Sequence, residues 1–370
     1  MYSKKEYFRH GLLFIVTFIA TTLSGGEWLY GRSVLSVEKP LTWEYFILSM
    51  QYSIPFIGFL LIHELGHLLT SLQHKVRATL PYFIPGWFGS LAPSIGTLGA
   101  VIQIKGFVGS RRKFFDIGVA GPLAGFVVAF GVLWYGFANL PEASYIYQIH
   151  PEYADPNYSA TDEEGVIDTR LGYNLLFLVM EKAIADESRI PNMSEVIHYP
   201  FLFAGYLALF FTALNMLPIG QLDGGHVVFG LFPKHHRIIS LVAYTCFLLY
   251  AGLGVVNPFE ELGYLIFAIP LYTGFIYICY RKANLPNQTK WMIALLIVAF
   301  QYAAVGIFPN LQGYSGWLFF AFIVGRVLGL EHPPVIDGRP LNRPQKILGW
   351  LALLIFILCF TPQPFNLTIS

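Results

Sequence analysis

Apolar runs about as long as a bilayer is thick recur along the whole 370-residue chain, and they limit its possible folds more than any other feature. A hydrocarbon core about 30 Å thick is crossed by roughly 20 helical residues. Nine passes can be read: Gly11–Ser24, Trp43–Leu72, Phe114–Leu140, Pro200–Leu217, Ile238–Val256, Leu262–Tyr280, Trp291–Phe308, Trp317–Leu330 and Ile347–Phe360. One soluble core could not hide them all. The charged fraction of 12% is also about half the roughly 25% of soluble domains. The expectation is an all-α polytopic membrane protein with about nine transmembrane helices. The first and eighth runs are short, as suits tilted or polar-capped helices. Cys246, Cys279 and Cys359 all lie inside apolar runs and read as small buried hydrophobes, not as a disulfide framework.

Charge sets the expected orientation. With Lys4, Lys5 and Arg9 in the cytoplasm, alternate loops put 17 of the 23 basic residues on that side, including Arg111, Arg112, Lys113, Arg281, Lys282 and Arg343. Cytoplasmic loops are the ones enriched in Lys and Arg, so the nine-span count and the charge pattern agree. Pro141–His198 then becomes an acidic extracytoplasmic loop carrying Asp162, Glu163, Glu164, Asp186 and Glu187. Within it, Leu171–Ala185 is amphipathic and too short to span, so it is expected to lie on the membrane surface. The loop is smaller than a typical domain. The chain therefore reads as one membrane-embedded domain, 1–370, with no PDZ-like module. The first run lacks a small-residue cleavage site and is expected to be retained. No Arg/Ser-rich transit stretch precedes it, which favours a multi-pass protein of the cell membrane with a cytoplasmic N-terminus.

The second run contains Ile62-His63-Glu64-Leu65-Gly66-His67. Residues four apart share one helix face, so His63 and His67 can reach one metal ion, with Glu64 beside them as general base. Chance would supply such a pattern about 0.01 times in this composition. Zinc as Lewis acid with a glutamate base is sufficient chemistry for peptide hydrolysis. A catalytic zinc normally takes three protein ligands, and two histidines leave it one short. Asp223, in Asn215-Met216-Leu217-Pro218-Ile219-Gly220-Gln221-Leu222-Asp223-Gly224-Gly225-His226, is the best supplier. The same Pro- and Gly-rich stretch is equally good turn chemistry.

An HExxH helix followed by Asn-x-x-Pro-x-x-x-Leu-Asp-Gly in a many-spanned chain resembles the site-2 protease family of intramembrane zinc metalloproteases. Phe115-Asp116-Ile117-Gly118-Val119-Ala120-Gly121-Pro122-Leu123-Ala124-Gly125 is similar to the family segment that opens the next span. The tail from Glu331-His332-Pro333-Pro334 to Phe360-Thr361-Pro362 resembles the prokaryotic and plastid branch. The resemblance implies His63, His67 and Asp223 as zinc ligands and Glu64 as the base. It further implies that Asn215 hydrogen-bonds the substrate backbone or developing oxyanion. The substrate it implies is a membrane-anchored protein, cut at or within the lipid bilayer; nucleic acid is not an expected partner.

Between Lys75 and Lys113 the chain carries Pro81, Pro85, Gly86, Gly89, Pro93, Gly96 and Gly99, then a strand-like Val101-Ile102-Gln103-Ile104. Irregular backbone at membrane depth survives only inside protein or beside a wet cavity. A re-entrant β-hairpin near the active site is expected, whose free edge would receive an unwound substrate. His226 either supports the site or simply packs, His235 and His236 read as part of a basic loop, and His332 carries no assigned role. Three rival readings are weaker. A membrane di-iron oxidoreductase needs several close histidine clusters, and a zinc protease with a glutamate third ligand needs a Glu on a later span. A metal transporter or catalytically inactive membrane-protein-binding relative would have no use for Glu64.

Overall fold

The computed structural model describes residues 2–155 and 167–369; Asp162, Glu163 and Glu164 of the acidic loop lie outside the described residues. In chain order the elements are α1 (Lys4–Tyr30), α2 (Trp43–Gln73), β1 (Tyr82–Gly86), β2 (Gly96–Val101), α3 (Arg111–Ala138), β3 (Ile167–Leu171), α4 (Leu175–Ile184), α5 (Pro200–Asn215), α6 (Asp223–Leu231), α7 (His236–Ala251), α8 (Leu262–Cys279), α9 (Asn287–Ile307), α10 (Gly316–Ile323), α11 (Arg343–Cys359) and β4 (Phe365–Ile369). The protein is mostly helical, and α1, α2, α3, α8 and α9 are long and apolar enough to cross a membrane. Five helices rather than nine meet that standard among the described residues. Three of the other four expected passes became shorter apolar helices of 16 residues or fewer, or a short helix prolonged by a π turn, and the ninth is the 17-residue α11.

Local chemistry accounts for these lengths. At the start of α1, Ser3 accepts from the Glu6 backbone N–H while Glu6 reaches back to the Ser3 N–H. Gly31, at φ 59°, ends the helix. Those caps stretch the expected Gly11–Ser24 run to 27 residues. By contrast, α5 stops at Asn215, before the turn containing Pro218 and Gly220. Past α10, a π turn at Val324–Leu328 ends on Gly329 at φ 90°.

The chain divides into two compact units. One comprises residues up to Val108, Val119–Asn215 and everything from Leu351 onward. Its core joins Tyr52, Phe56 and Phe59 of α2, Leu133 and Phe137 of α3, and Phe203, Tyr206 and Leu207 of α5, all deeply buried. Against this, α1 buries a face of small and hydroxylic residues: Thr17, Ala20, Thr21, Thr22, Ser24, Gly25 and Gly26. Small residues let helix backbones approach where lipid removes the usual hydrophobic drive. The Thr22 and Ser53 hydroxyls, 2.7 Å apart, tie α1 to α2.

The expected hairpin is present in this unit. β1 and β2 pair antiparallel, with a bulge between Phe83 and Pro85. Its second strand was expected at Val101–Ile104 but runs over Gly96–Val101. The pairing then continues irregularly as Thr79 N–H donates to Gln103 O and Lys105 N–H to Arg77 O. The hairpin lies along α1. Tyr2 O–H donates to Ala78 O, the His10 ring lies 2.9 Å from Pro81 O, and the Phe14 and Phe83 rings meet at 5.0 Å. Further along the helix, Trp28 Nε1 donates to Ser94 O at 2.7 Å. Side chains of the α1 segment thus satisfy backbone carbonyls of the hairpin segment, the condition for non-helical chain at membrane depth.

A second two-stranded sheet, β3 with β4, was not expected in an all-α reading. Helix α4 buries Leu176, Phe177 and Met180 in the unit's own core and exposes Leu175 and Val179. Cys279 and Cys359 are buried as expected; Cys246, on α7, is exposed.

The other unit comprises Gly109–Gly118 and Met216–Trp350. Polar contacts hold its helices. Tyr244 O–H donates to Ala321 O at 2.8 Å, and the Gln301 side-chain amide donates to Leu248 O and Leu249 O, both at 3.0 Å. The chain just beyond α10 is fixed by the Ser240 hydroxyl, which accepts from Gly220 N–H and donates to Leu330 O.

Candidate metal centre

One helical turn separates His63 from His67, and their Nε2 atoms lie 3.1 Å apart. Both rings are buried, at 2% and 7% exposure, and Glu64 beside them is 5% exposed. Polar side chains this deep in an apolar helix are costly unless they do something. Tetrahedral zinc with Zn–N distances of about 2.0–2.1 Å holds two ligand nitrogens about 3.3 Å apart. The imidazole pair matches that separation, so the donor set fits the metal. At the end of α5, the Asn215 side-chain amide donates to His63 Nε2 at 3.3 Å. Three of the sequence-derived residues, His63, His67 and Asn215, therefore meet within one unit.

Glycines make room for the rings. A Cβ on Gly121 of α3 would overlap the His67 imidazole, and one on Gly125 would press on Phe59 and on His63 Nδ1. A Cβ on Gly66 would collide with Ala120 O. The Gly121-Pro122-Leu123-Ala124-Gly125 stretch thus has a physical role: it seats α3 against the histidine face of α2.

In the other unit, the chain from Met216 to Leu222 makes a tight turn, with Ile219 N–H donating to Leu217 O and Gly220 at φ 54°. Asp223 opens α6 directly after it. A side chain on Gly224 would overlap Met216 O, and one on Gly225 would overlap Gly220 O. The Pro- and Gly-rich stretch is the turn its composition suggested, and it delivers Asp223 at a helix N-terminus. His226 packs: its ring stacks on Phe114 and its Nδ1 lies 2.9 Å from His332 Nε2. His332, which had no expected role, stacks on Phe229 with ring centres 3.7 Å apart. Burial and the neighbouring His226 push it down to about 3, so its ring is neutral. His236 is buried rather than part of an open basic loop.

The sequence model of peptidase family M50 matches residues 51–257, more than half of the chain. The chain belongs to peptidase family M50. The matched span runs from α2 through the Asp223 turn into the segment after α7, and so contains all five candidate site residues. A probable zinc metalloprotease of Oryza sativa subsp. japonica, EGY1, chloroplastic, is 28% identical over 280 residues, covering 74% of this chain and 41% of the relative. The Arabidopsis thaliana probable zinc metalloprotease EGY1, chloroplastic, is 32% identical over 179 residues, covering 48% and 29%. A probable zinc metallopeptidase of the same plant, EGY3, chloroplastic, is 23% identical over 279 residues, covering 72% and 44%. This M50 chain spans less than half the length of each of these curated relatives. No solved structure matches it.

One group of residues escaped the sequence reading altogether. His150, Glu195 and His198 bring ligand-type atoms within 4.8 Å of one another in the loops before α5. Only the three-residue spacing of Glu195 and His198 hinted at it, since His150 lies 48 positions before His198.

Proposed function

We propose that this M50 chain is an intramembrane zinc metalloendopeptidase that hydrolyses peptide bonds of membrane-anchored proteins, with His63, His67 and Asp223 as zinc ligands. The observation that carries the reading is the buried Nε2 pair on α2, 3.1 Å apart, with Glu64 next to His63 in the chain and the Asn215 amide at 3.3 Å. Asp223 is supported by the Leu-Asp-Gly motif and by its position at the start of α6. An aspartate oxygen completes the three-ligand set that a catalytic zinc requires.

Bound zinc would supply Lewis-acid activation of the water and of the scissile carbonyl. The rest falls to the chain. Glu64 takes the proton from the attacking water and returns it to the leaving amine. Asn215 donates its amide N–H to the carbonyl oxygen as negative charge develops there. The hairpin of β1 and β2 offers a strand edge on which an unwound substrate segment is held extended. The whole chain acts as one membrane-embedded domain of nine passes in the cell membrane, with a cytoplasmic N-terminus and residues 141–198 outside.

Glu64→Gln tests this reading. The variant is expected to keep its zinc and to lose cleavage of a membrane-peptide substrate by 100-fold or more, since a positioned general base contributes about 10²–10⁴-fold. A variant that cleaves at the wild-type rate would overturn the mechanism.

A further inference from the structure

We propose that His150, Glu195 and His198 form a second binding site for a zinc-type divalent cation, separate from the pair on α2. The two ring nitrogens His150 Nε2 and His198 Nε2 face each other at 3.2 Å. His198 Nε2 is also 3.7 Å from a Glu195 carboxylate oxygen. Two imidazoles and one carboxylate, with a position left open, are a recognised zinc donor set.

The surroundings fix the tautomers, and this turns proximity into a site. His198 Nδ1 lies 2.8 Å from Leu29 O, which only accepts, so Nδ1 carries the hydrogen and Nε2 a lone pair. His150 Nδ1 lies 2.8 Å from a Glu152 carboxylate oxygen, which likewise calls for the hydrogen on Nδ1. Both Nε2 lone pairs then point into the same gap, an arrangement relieved by a shared proton or by a metal cation held between them. A histidine whose far nitrogen donates to a carboxylate or carbonyl is the usual outer support of a metal ligand. Tyr153 braces both remaining members: its ring stacks on His150 at 4.8 Å, and its hydroxyl donates to Glu195 Oε1 at 3.1 Å.

Location sets this site apart from the first. His198 lies two residues before α5, and Asn215 closes the far end of that 16-residue helix. At 1.5 Å per residue the two ends are about 25 Å apart, so one ion cannot serve both. His198 is buried while His150 and Glu195 are partly exposed, which gives an ion a route from solvent. Leu29 lies in the last turn of α1, so a bound ion would clip the loops bearing His150 and Glu195 to the end of that helix.

The test is the zinc content of purified full-length protein after equilibration with zinc and desalting. The wild type is expected to retain one equivalent more than His150→Ala or Glu195→Gln. A cobalt-loaded wild type is expected to show one tetrahedral visible absorption band that those variants lack. Both substitutions are at partly exposed positions, and Glu195→Gln keeps the shape of the side chain. Gel filtration and thermal unfolding report whether each variant is folded. The difference is read against His63→Ala as well: it persists there if the second site is independent, even if the α2 pair binds nothing. Equal zinc in folded wild type, His150→Ala and Glu195→Gln would overturn the proposal. So would loss of the extra equivalent only when His63 is changed.

Discussion

The two ends of α5 present the same chemical element built in two ways. Beside Asn215, the imidazoles of His63 and His67 face each other at 3.1 Å because they sit one turn apart on a single long helix. Just before Pro200, His150 and His198 face each other at 3.2 Å although loops and short turns deliver them from 48 residues apart. The first pair is buried, with glycines of α3 cut to its outline. The second has His198 buried and His150 partly exposed, and is oriented by backbone and side-chain acceptors. A regular helix makes a metal pair visible in sequence; loops can make nearly the same geometry and leave almost no trace. Their carboxylates differ too: Glu64 follows His63 in the chain, whereas Glu195 belongs to the second cluster itself and Glu152 accepts from His150 Nδ1.

The largest contrast is expected from histidine removal. His63→Ala should abolish cleavage, with loss of 10³-fold or more, as the metal and its activated water go together. His150→Ala should leave cleavage within a few-fold of wild type, measured on the same membrane peptide. Comparable losses from both would break the distinction between the two ends. Next, Asn215→Ala should cut turnover by about 100- to 1,000-fold, the usual cost of one oxyanion-type donor, while zinc content stays near wild type. Zinc lost together with turnover would make Asn215 a supporter of the metal rather than of the substrate.

Smaller effects probe how the helices seat the first pair. Gly121→Ala forces a methyl group into the His67 ring. A cost of about 1–3 kcal/mol in stability is expected, from overpacking, with weakened zinc retention. Gly131→Ala, on the same helix with nothing within 4 Å of the added Cβ, is the control. It should be neutral or stabilising by about 0.5–1 kcal/mol, read by thermal unfolding with zinc present. Equal effects at the two glycines would mean that α3 does not shape the histidine face.

Much of this was legible because periodicity carries it. The apolar runs fixed the helical class, and the four-residue spacing of His63 and His67 fixed their face. The Pro- and Gly-rich stretch before Asp223 announced its turn. The hairpin was legible as irregular chain at membrane depth, but its strand was misplaced: Gly96, Thr97 and Gly99 look like loop until the close approach to α1 is known. Helix lengths went astray where caps decided them, as with Ser3, Glu6 and Gly31 on α1. The pairing of β3 with β4 joins segments nearly 200 residues apart, which local pattern cannot report. His332 is a similar case. Its partners His226 and Phe229 lie more than 100 positions away, so a lone histidine in a Pro-rich connection gave no sign that it is packed and held neutral.

The central claim is that Asp223 completes a catalytic zinc site begun by His63 and His67. The most direct measurement is the zinc content of Asp223→Ala made in a His150→Ala background, so that only the α2 pair remains to hold metal. The account predicts that zinc falls from about one equivalent in the His150→Ala parent to well below half of that under the same desalting, with cleavage lost alongside. A full retained equivalent in Asp223→Ala, with the protein folded, would show that the third ligand lies elsewhere and would contradict the assignment.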